Sequence, residues 1–248
     1  MTRVGLVGYG KAGQAVAQVL RSDPRFELTW IARRTHMAEP EFLSGSDIPV
    51  MAIDAGNFAQ LMDAHPVDAL VDFSSAESIQ IYAGEVERRN LILVSAISSY
   101  DADSLALARH LGQFARVLCS PNITLGINFL IMAAKLLQGI APFADVEILE
   151  QHFKEKPEVS GTAKKIAESL ALDPQKITSL RLGGIVGHHE VIFGFPYQTV
   201  RLTHDSIKRE AFGTGVAFAL DELSGHGKGF YTFDDLLMEK IKTQLLRT

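Results

Sequence analysis

The chain has 248 residues, of which 47% are hydrophobic and 21% charged, and its 24 basic and 29 acidic side chains leave a net charge of -5. These values exclude wholesale disorder, a collagen repeat and a disulfide scaffold, and give no basic excess for nucleic acid or an anionic membrane surface. A chain this long makes one or two domains, each able to bury a core without staples.

Val4 to Val7 reads as a buried strand, and Lys11 to Leu20 as a helix with Val16, Val19 and Leu20 on one face. Phe26 to Ile31 is a second strand after the Asp23-Pro24 break. Ala69 to Phe73 is another apolar strand, followed by a helix over Ala76 to Arg89. Leu91 to Val94, Asp103 to Leu111 and Val117 to Cys119 continue as strand, helix and strand. This β-α-β-α rhythm predicts a parallel sheet with helices on both faces.

The rhythm changes after about Asn122. A long helix over Thr124 to Ile140 stops before Pro142, and a strand follows over Val146 to Gln151. A polar segment, His152 to Val159, leads to a helix from Gly161 to about Leu170. Three strand-like runs occupy Ile177 to Leu182, Glu190 to Phe193 and Thr199 to His204. A helix over Ala211 to Leu223, a loop over Gly225 to Gly229 and a final helix over Phe233 to Leu246 close the chain. The expected fold is α/β. An N-terminal Rossmann-type doubly wound parallel sheet (1–121) precedes a second, α+β domain on a mostly antiparallel sheet (122–232). The last helix, 233–248, is expected to return to the first domain.

Gly8-Tyr9-Gly10-Lys11-Ala12-Gly13 fits G-x-G-x-x-G between the first strand and the first helix. Glycines there let backbone amides approach a pyrophosphate at the positive end of the helix, so these six residues are expected to bind a dinucleotide. At the end of the second strand, an acidic residue would hold a ribose 2′-hydroxyl, but the chain reads Ala32-Arg33-Arg34-Thr35. Two guanidinium groups suit a 2′-phosphate, which favours NADPH and leaves NADH open. Phe73 closes a strand, and Ser74, Ala96 and Ser98 lie in the loops at the carboxyl ends of strands, where cofactors bind. Ordinary loop hydroxyls would read the same way.

The segment from Glu150 to Ala163 carries a histidine, two lysines and a Ser-Gly-Thr that opens a helix. Ser160 fits an N-cap, which turns the amides of Gly161 and Thr162 outward as an anion site, and Lys156 adds a full positive charge. His152, at the end of a strand, is the candidate general acid. No histidine spacing suggests a metal site.

At these residues the chain resembles the dihydrodipicolinate reductases of the diaminopimelate route to lysine. Their signature is E-x-H-H-x-x-K-x-D-A-P-S-G-T, and Glu150, His152, Lys156, Ser160, Gly161 and Thr162 match it. Asn122 to Asn128 resembles the family's N-x-S-x-G-x-N hinge, and Val186 to Glu190 its V-G-x-H stretch. Leu202-Thr203-His204, Arg209, Phe212 and Gly215 resemble its T-H…R..F..G pattern, and Gly229 to Leu237 its close. The resemblance implies reduction of a cyclic unsaturated imine dicarboxylate by NAD(P)H, in a ternary complex in the cleft between two domains. It implies catalytic roles for His152 and Lys156, and a substrate anion on Lys156, Ser160, Gly161 and Thr162. It adds Asn122, Thr124, Arg209 and Phe212 to the cofactor contacts, and it implies a homotetramer formed through the second-domain sheets. His188, His189 and His204 match without an assigned role.

The chain also departs from the signature. Phe153 replaces the second histidine, Glu158 and Val159 replace Asp-Ala-Pro, and the family's G-T-T-G loop reads Ala96-Ile97-Ser98-Ser99. Two polar contacts to a dicarboxylate are thereby lost, each worth on the order of 1.5–3 kcal/mol. Three alternatives therefore stand: a reductase of a different cyclic imine or enoyl acid, an amino-acid dehydrogenase of similar build, and a catalytically silent NADPH-binding sensor. The lone Cys119 predicts a reducing, cytoplasmic setting. No apolar run approaches the roughly 18 residues of a spanning helix, and Met1-Thr2-Arg3 opens directly into strand-like residues, unlike a leader.

Overall fold

The computed structural model describes residues 1–34 and 41–246. Its Cα packing separates two compact units, 1–124 with 212–248, and 125–211. The first unit begins β1 (Thr2–Val7), α1 (Lys11–Ser22), β2 (Phe26–Arg33), β3 (Glu41–Phe42), β4 (Pro49–Ala52) and α2 (Phe58–Ala64). It continues through β5 (Ala69–Asp72), a 3-10 turn at Ala76–Ser78 running into α3 (Ile79–Arg89), β6 (Ile92–Ser95), α4 (Ala102–Leu111) and β7 (Arg116–Cys119). The second unit carries α5 (Leu125–Ile140), β8 (Asp145–His152), α6 (Gly161–Ser169), β9 (Ile177–Arg181), β10 (His188–Phe195) and β11 (Gln198–Asp205). The chain ends with α7 (Glu210–Ser224), β12 (Gly229–Tyr231) and α8 (Phe233–Leu245).

The first sheet runs β12-β7-β6-β5-β1-β2-β4-β3. Its pairs are parallel except β3 with β4. β5 and β6 read Ala-Leu-Val-Asp and Ile-Leu-Val-Ser and are buried throughout, as strands covered on both faces must be. Strand order reverses between β1 and β5, which places the carboxyl ends at Val7 and Asp72 beside a topological switch point.

The second sheet runs β11-β10-β8-β9, with two antiparallel pairs and one parallel pair, β8 with β9. The core lies on one face of this sheet. It joins Ile127, Leu130 and Ile131 of α5, Ala163, Ile166 and Ala167 of α6, Val146 and Ile148 of β8, and Val191 and Phe193 of β10.

The structure corrects the expected organisation in three places. Residues 212–232 pack with the first unit, not the second. Gly213 of α7 explains the contact: a Cβ there would sit 2.5 Å from Val19 Cβ of α1, so only glycine permits the approach. The loop at Gly225 to Gly229 gives way at Gly229 to β12, which pairs in parallel with β7. Between β2 and β5 the chain adds β3, β4 and α2, none of which the apolar pattern predicts.

Candidate active site

In the first unit, the turn after β1 is built by backbone constraint. Gly8 has φ 102° and donates its amide to Ala32 O at 2.7 Å. A Cβ there would meet Phe73 O at 2.7 Å and Ser74 N at 2.8 Å, and one at Gly13 would collide with Gly8 O. Gly10 instead faces open space. It is the N-cap of α1 without a side-chain cap bond, and the first turn of α1 has no acidic residue. The amides of Lys11, Ala12 and Gly13 therefore present an uncompensated positive helix end. The side chains of Tyr9, Lys11 and Ala12 are half-buried or exposed around it. These features fit a dinucleotide pyrophosphate.

Arg33 and Arg34 end β2. Arg33 Nη2 lies 2.8 Å from Glu41 Oε2, so this guanidinium is partly engaged, while its Nε is buried without a partner. Arg34 is exposed, and Thr35 lies outside the described residues. Asp72, fully buried at the end of β5, accepts from Ser74 N at 2.8 Å, Ser74 Oγ at 2.5 Å and Tyr82 OH at 2.6 Å. Burial pushes the Asp72 carboxyl up against these bonds. Asp72 thus fixes the Phe73-Ser74 turn, and Phe73 stacks 6.3 Å from Phe212. After β6, Tyr100 OH accepts from Ile97 N and donates to Ser95, which pins the loop carrying Ala96 and exposed Ser98. Asn122 Oδ1 accepts from Thr124 N at 3.0 Å, closing the turn before α5.

In the second unit, β8 sends Val146, Ile148, Glu150 and His152 to the helix-covered face. Across the sheet, Ser179, Glu150, His189 and His204 are lateral neighbours in one row. Glu150 is fully buried and accepts from His152 Nδ1 at 2.5 Å, Ser160 N at 3.2 Å, Ser179 Oγ at 2.7 Å and both Nη atoms of Arg181. Burial pushes its carboxyl up, but the bonds from Arg181, Ser179, His152 and Ser160 prevail and hold it at about 2. An ionised carboxylate only accepts, so His152 Nδ1 carries the hydrogen, and Nε2 is the ring nitrogen not engaged by Glu150. Nε2 faces Gly187, where a Cβ would lie 3.2 Å away.

Ser160 caps α6 by accepting from Ala163 N, and its Oγ lies 2.8 Å from His189 Nε2. His189 is held down at about 4 by burial and by the neighbouring His152 and His204. Gly161 is exposed with open space about it, Thr162 is half-buried, and the first turn of α6 carries no acid. Lys156 is half-buried and, among the described residues, has no carboxylate within ion-pair distance. His152, Lys156, Ser160, Gly161 and Thr162 are thus placed on β8, its following loop and the start of α6. Arg209, by contrast, is an exposed residue before α7. The sequence left Glu150, Ser179, Arg181, Asp72 and Tyr100 without roles. The signal available was charge: Glu150 and Asp72 close otherwise apolar buried strand faces, where a carboxylate requires partners.

Residues 2–123 match the family described as "Dihydrodipicolinate reductase, N-terminus" and residues 122–237 that described as "Dihydrodipicolinate reductase, C-terminus". The 4-hydroxy-tetrahydrodipicolinate reductase of Shouchella clausii is 30% identical over 275 residues, covering 96% of this chain and 100% of its own. The chain belongs to the dihydrodipicolinate reductase family. Another reductase of that name, from Caldanaerobacter subterraneus, is 29% identical over 92% of this chain and 94% of its own. A dipicolinate-bound dihydrodipicolinate reductase from Paenisporosarcina has the same fold, with TM-score 0.78, 22% identity and coverage of 94% and 97%. An amine dehydrogenase from Mycobacterium smegmatis shares the fold more distantly, with TM-score 0.64, 14% identity and coverage of 94% and 95%. In this dihydrodipicolinate reductase family member, Phe153 is 40% exposed on the loop that leads to Lys156.

Proposed function

We propose that the protein reduces 4-hydroxy-tetrahydrodipicolinate to tetrahydrodipicolinate in lysine and diaminopimelate biosynthesis, with NADPH preferred over NADH. The observation that carries this reading is the Glu150–His152 pair at the end of β8, beside the Ser160-capped start of α6. It supplies a proton donor next to an anion site.

Gly8, Tyr9, Gly10, Lys11, Ala12 and Gly13 would hold the pyrophosphate, and Arg33 and Arg34 the 2′-phosphate. Phe73, Ser74, Ala96, Ser98, Asn122, Thr124, Arg209 and Phe212 would complete the cofactor contacts. Bound there, the reduced nicotinamide supplies the hydride. Lys156 and the amides of Gly161 and Thr162 hold a substrate carboxylate, with Ser160 fixing the direction of those amides. His152 delivers the proton from Nε2 to the substrate atom on which charge develops. Glu150 keeps the ring oriented through Nδ1 and offsets the positive charge of the imidazolium.

Phe153 favours a second reading, a reductase of the same build acting on a less polar cyclic imine. NADPH consumption with freshly generated 4-hydroxy-tetrahydrodipicolinate, compared with a panel of cyclic imines, tests both. The proposed function predicts turnover of the dicarboxylate above the panel, and turnover of another imine alone would replace it. The isolated Cys119 fits a reducing cytoplasm. Exposed Leu180, Leu182 and Val186 near the second sheet support assembly into a homotetramer.

A further inference from the structure

Arg181 ends β9 as the lateral partner of His152. A guanidinium has five N–H donors, and Arg181 uses all of them. Nη1 donates to Glu150 Oε2 at 3.0 Å and to Leu180 O at 2.8 Å. Nη2 donates to Glu150 Oε1 at 2.9 Å and Glu158 O at 2.7 Å, and Nε to Lys156 O at 3.0 Å. One side chain therefore joins the carboxylate that orients His152 to two carbonyls of the loop that carries Lys156. We propose that Arg181 is a positioning residue for the reduction, fixing the proton donor and the anion-binding loop in one frame. This inference rests on His152 being the proton donor.

The physical argument concerns the protonation state of Glu150. A fully buried carboxylate stays ionised only if its charge is matched and its oxygens are occupied. Ser179, Ser160 N and His152 supply hydrogen bonds, but Arg181 supplies the full opposing charge in a bidentate fork. Without it, Glu150 takes up a proton at higher pH, and the Nδ1 hydrogen of His152 loses an acceptor-only partner. The titratable groups facing this pair are Arg181 from β9, His189 from β10 and His204 beyond it on β11, while the loop meets Arg181 through the backbone carbonyls of Lys156 and Glu158. The buried residues of α5 and α6 packed on this face contribute none. A lysine cannot replace the fork, because an ammonium is a single point with three donors.

The test uses Arg181→Gln, Arg181→Lys and Ser179→Ala in the full chain. Three readouts are followed: the pH profile of kcat/KM, the NADPH dissociation constant, and the His152 ring proton and nitrogen resonances without cofactor. Wild type should show a far-downfield Nδ1 proton and no loss of activity from Glu150 above about pH 4. Arg181→Gln should cut kcat at neutral pH by about tenfold or more, lose the downfield proton and acquire an acid limb between about pH 4 and 6. Its NADPH dissociation constant should stay at the wild-type value. Arg181→Lys should recover only a small part of the loss. Ser179→Ala removes one donor to Glu150 while leaving the ion pair, so it should move the acid limb slightly the same way. Should Arg181→Gln fail to fold, Ser179→Ala and Arg181→Lys decide. Wild-type kcat, profile and resonances in the folded variants would overturn the inference. Wild-type turnover in His152→Gln would instead overturn the reading on which it rests.

Discussion

Changing Arg33 and Arg34 together to alanine should raise the KM for NADPH by about tenfold or more while leaving that for NADH nearly unchanged. Arg33 Nη2 sits 2.8 Å from Glu41 Oε2, with the two side chains 32% and 40% exposed. An ion pair this accessible to water is worth about 0.2–1 kcal/mol. A bond from a guanidinium to a 2′-phosphate is worth about 1.5–3 kcal/mol. Arg33 therefore gains on the order of 1 kcal/mol after giving up Glu41, and its buried, unpartnered Nε offers a further donor. Arg34, exposed and within electrostatic reach of the Glu77 and Asp72 carboxylates, adds a comparable amount. Removal of both then costs roughly 1.5–3 kcal/mol, or about ten- to a hundredfold. The same arithmetic predicts that Glu41→Gln tightens NADPH by about two- to fivefold, because the competing carboxylate is gone. Calorimetric titration with each dinucleotide, paired with initial rates, provides the assay. Equal weakening of NADPH and NADH in the double variant would refute the reasoning.

Other expected outcomes follow from the second unit. Phe153→His should lower the KM for 4-hydroxy-tetrahydrodipicolinate about five- to thirtyfold by restoring a polar contact, whereas loss of all turnover with this substrate would mean the ring shapes a less polar pocket. Gly187→Ala should depress kcat without changing NADPH binding, since its Cβ would lie 3.2 Å from His152 Nε2, and an unaltered kcat would remove that nitrogen from the reaction path. His189 is held at about 4 against an ordinary 6.5, chiefly by burial, so the folded chain keeps it neutral where the unfolded chain charges it. Its contribution is therefore present above about pH 6.5 and lost as pH falls toward 4, by roughly 3 kcal/mol across that window. Urea unfolding of His189→Gln should show a flatter pH dependence there, and an unchanged slope would contradict this. Light scattering should give about four times the 27.1 kDa of one chain, and a mass near one chain would remove the tetramer.

Much of the first unit was readable because its strands are unbroken apolar runs and its glycine turn has a fixed spacing. The segment between β2 and β5 was not. β3 spans two residues, β4 begins with proline, and α2 has only seven residues, too few for a helical period to extend beyond Phe58, Leu61 and Met62. β12 has three residues and pairs with β7, far away in the chain, so no local pattern marks it. The periodicity of α7 gave its helix but not its neighbour, which Gly213 determines by admitting Val19. At the candidate site, Ser160 was legible as a cap and His152 as a strand end. Arg181 was not, because an arginine closing a half-exposed strand looks like any solvated charge until Glu150 is known to be buried beside it.

The most direct test is steady-state reduction of freshly generated 4-hydroxy-tetrahydrodipicolinate by wild type, His152→Gln and Lys156→Ala, with NADPH affinity measured in parallel. The account predicts NADPH consumption that depends on this substrate, and a fall in kcat/KM of about a hundredfold or more in each variant with NADPH binding unchanged. Absence of turnover in the wild type, or variants as active as wild type, would contradict it.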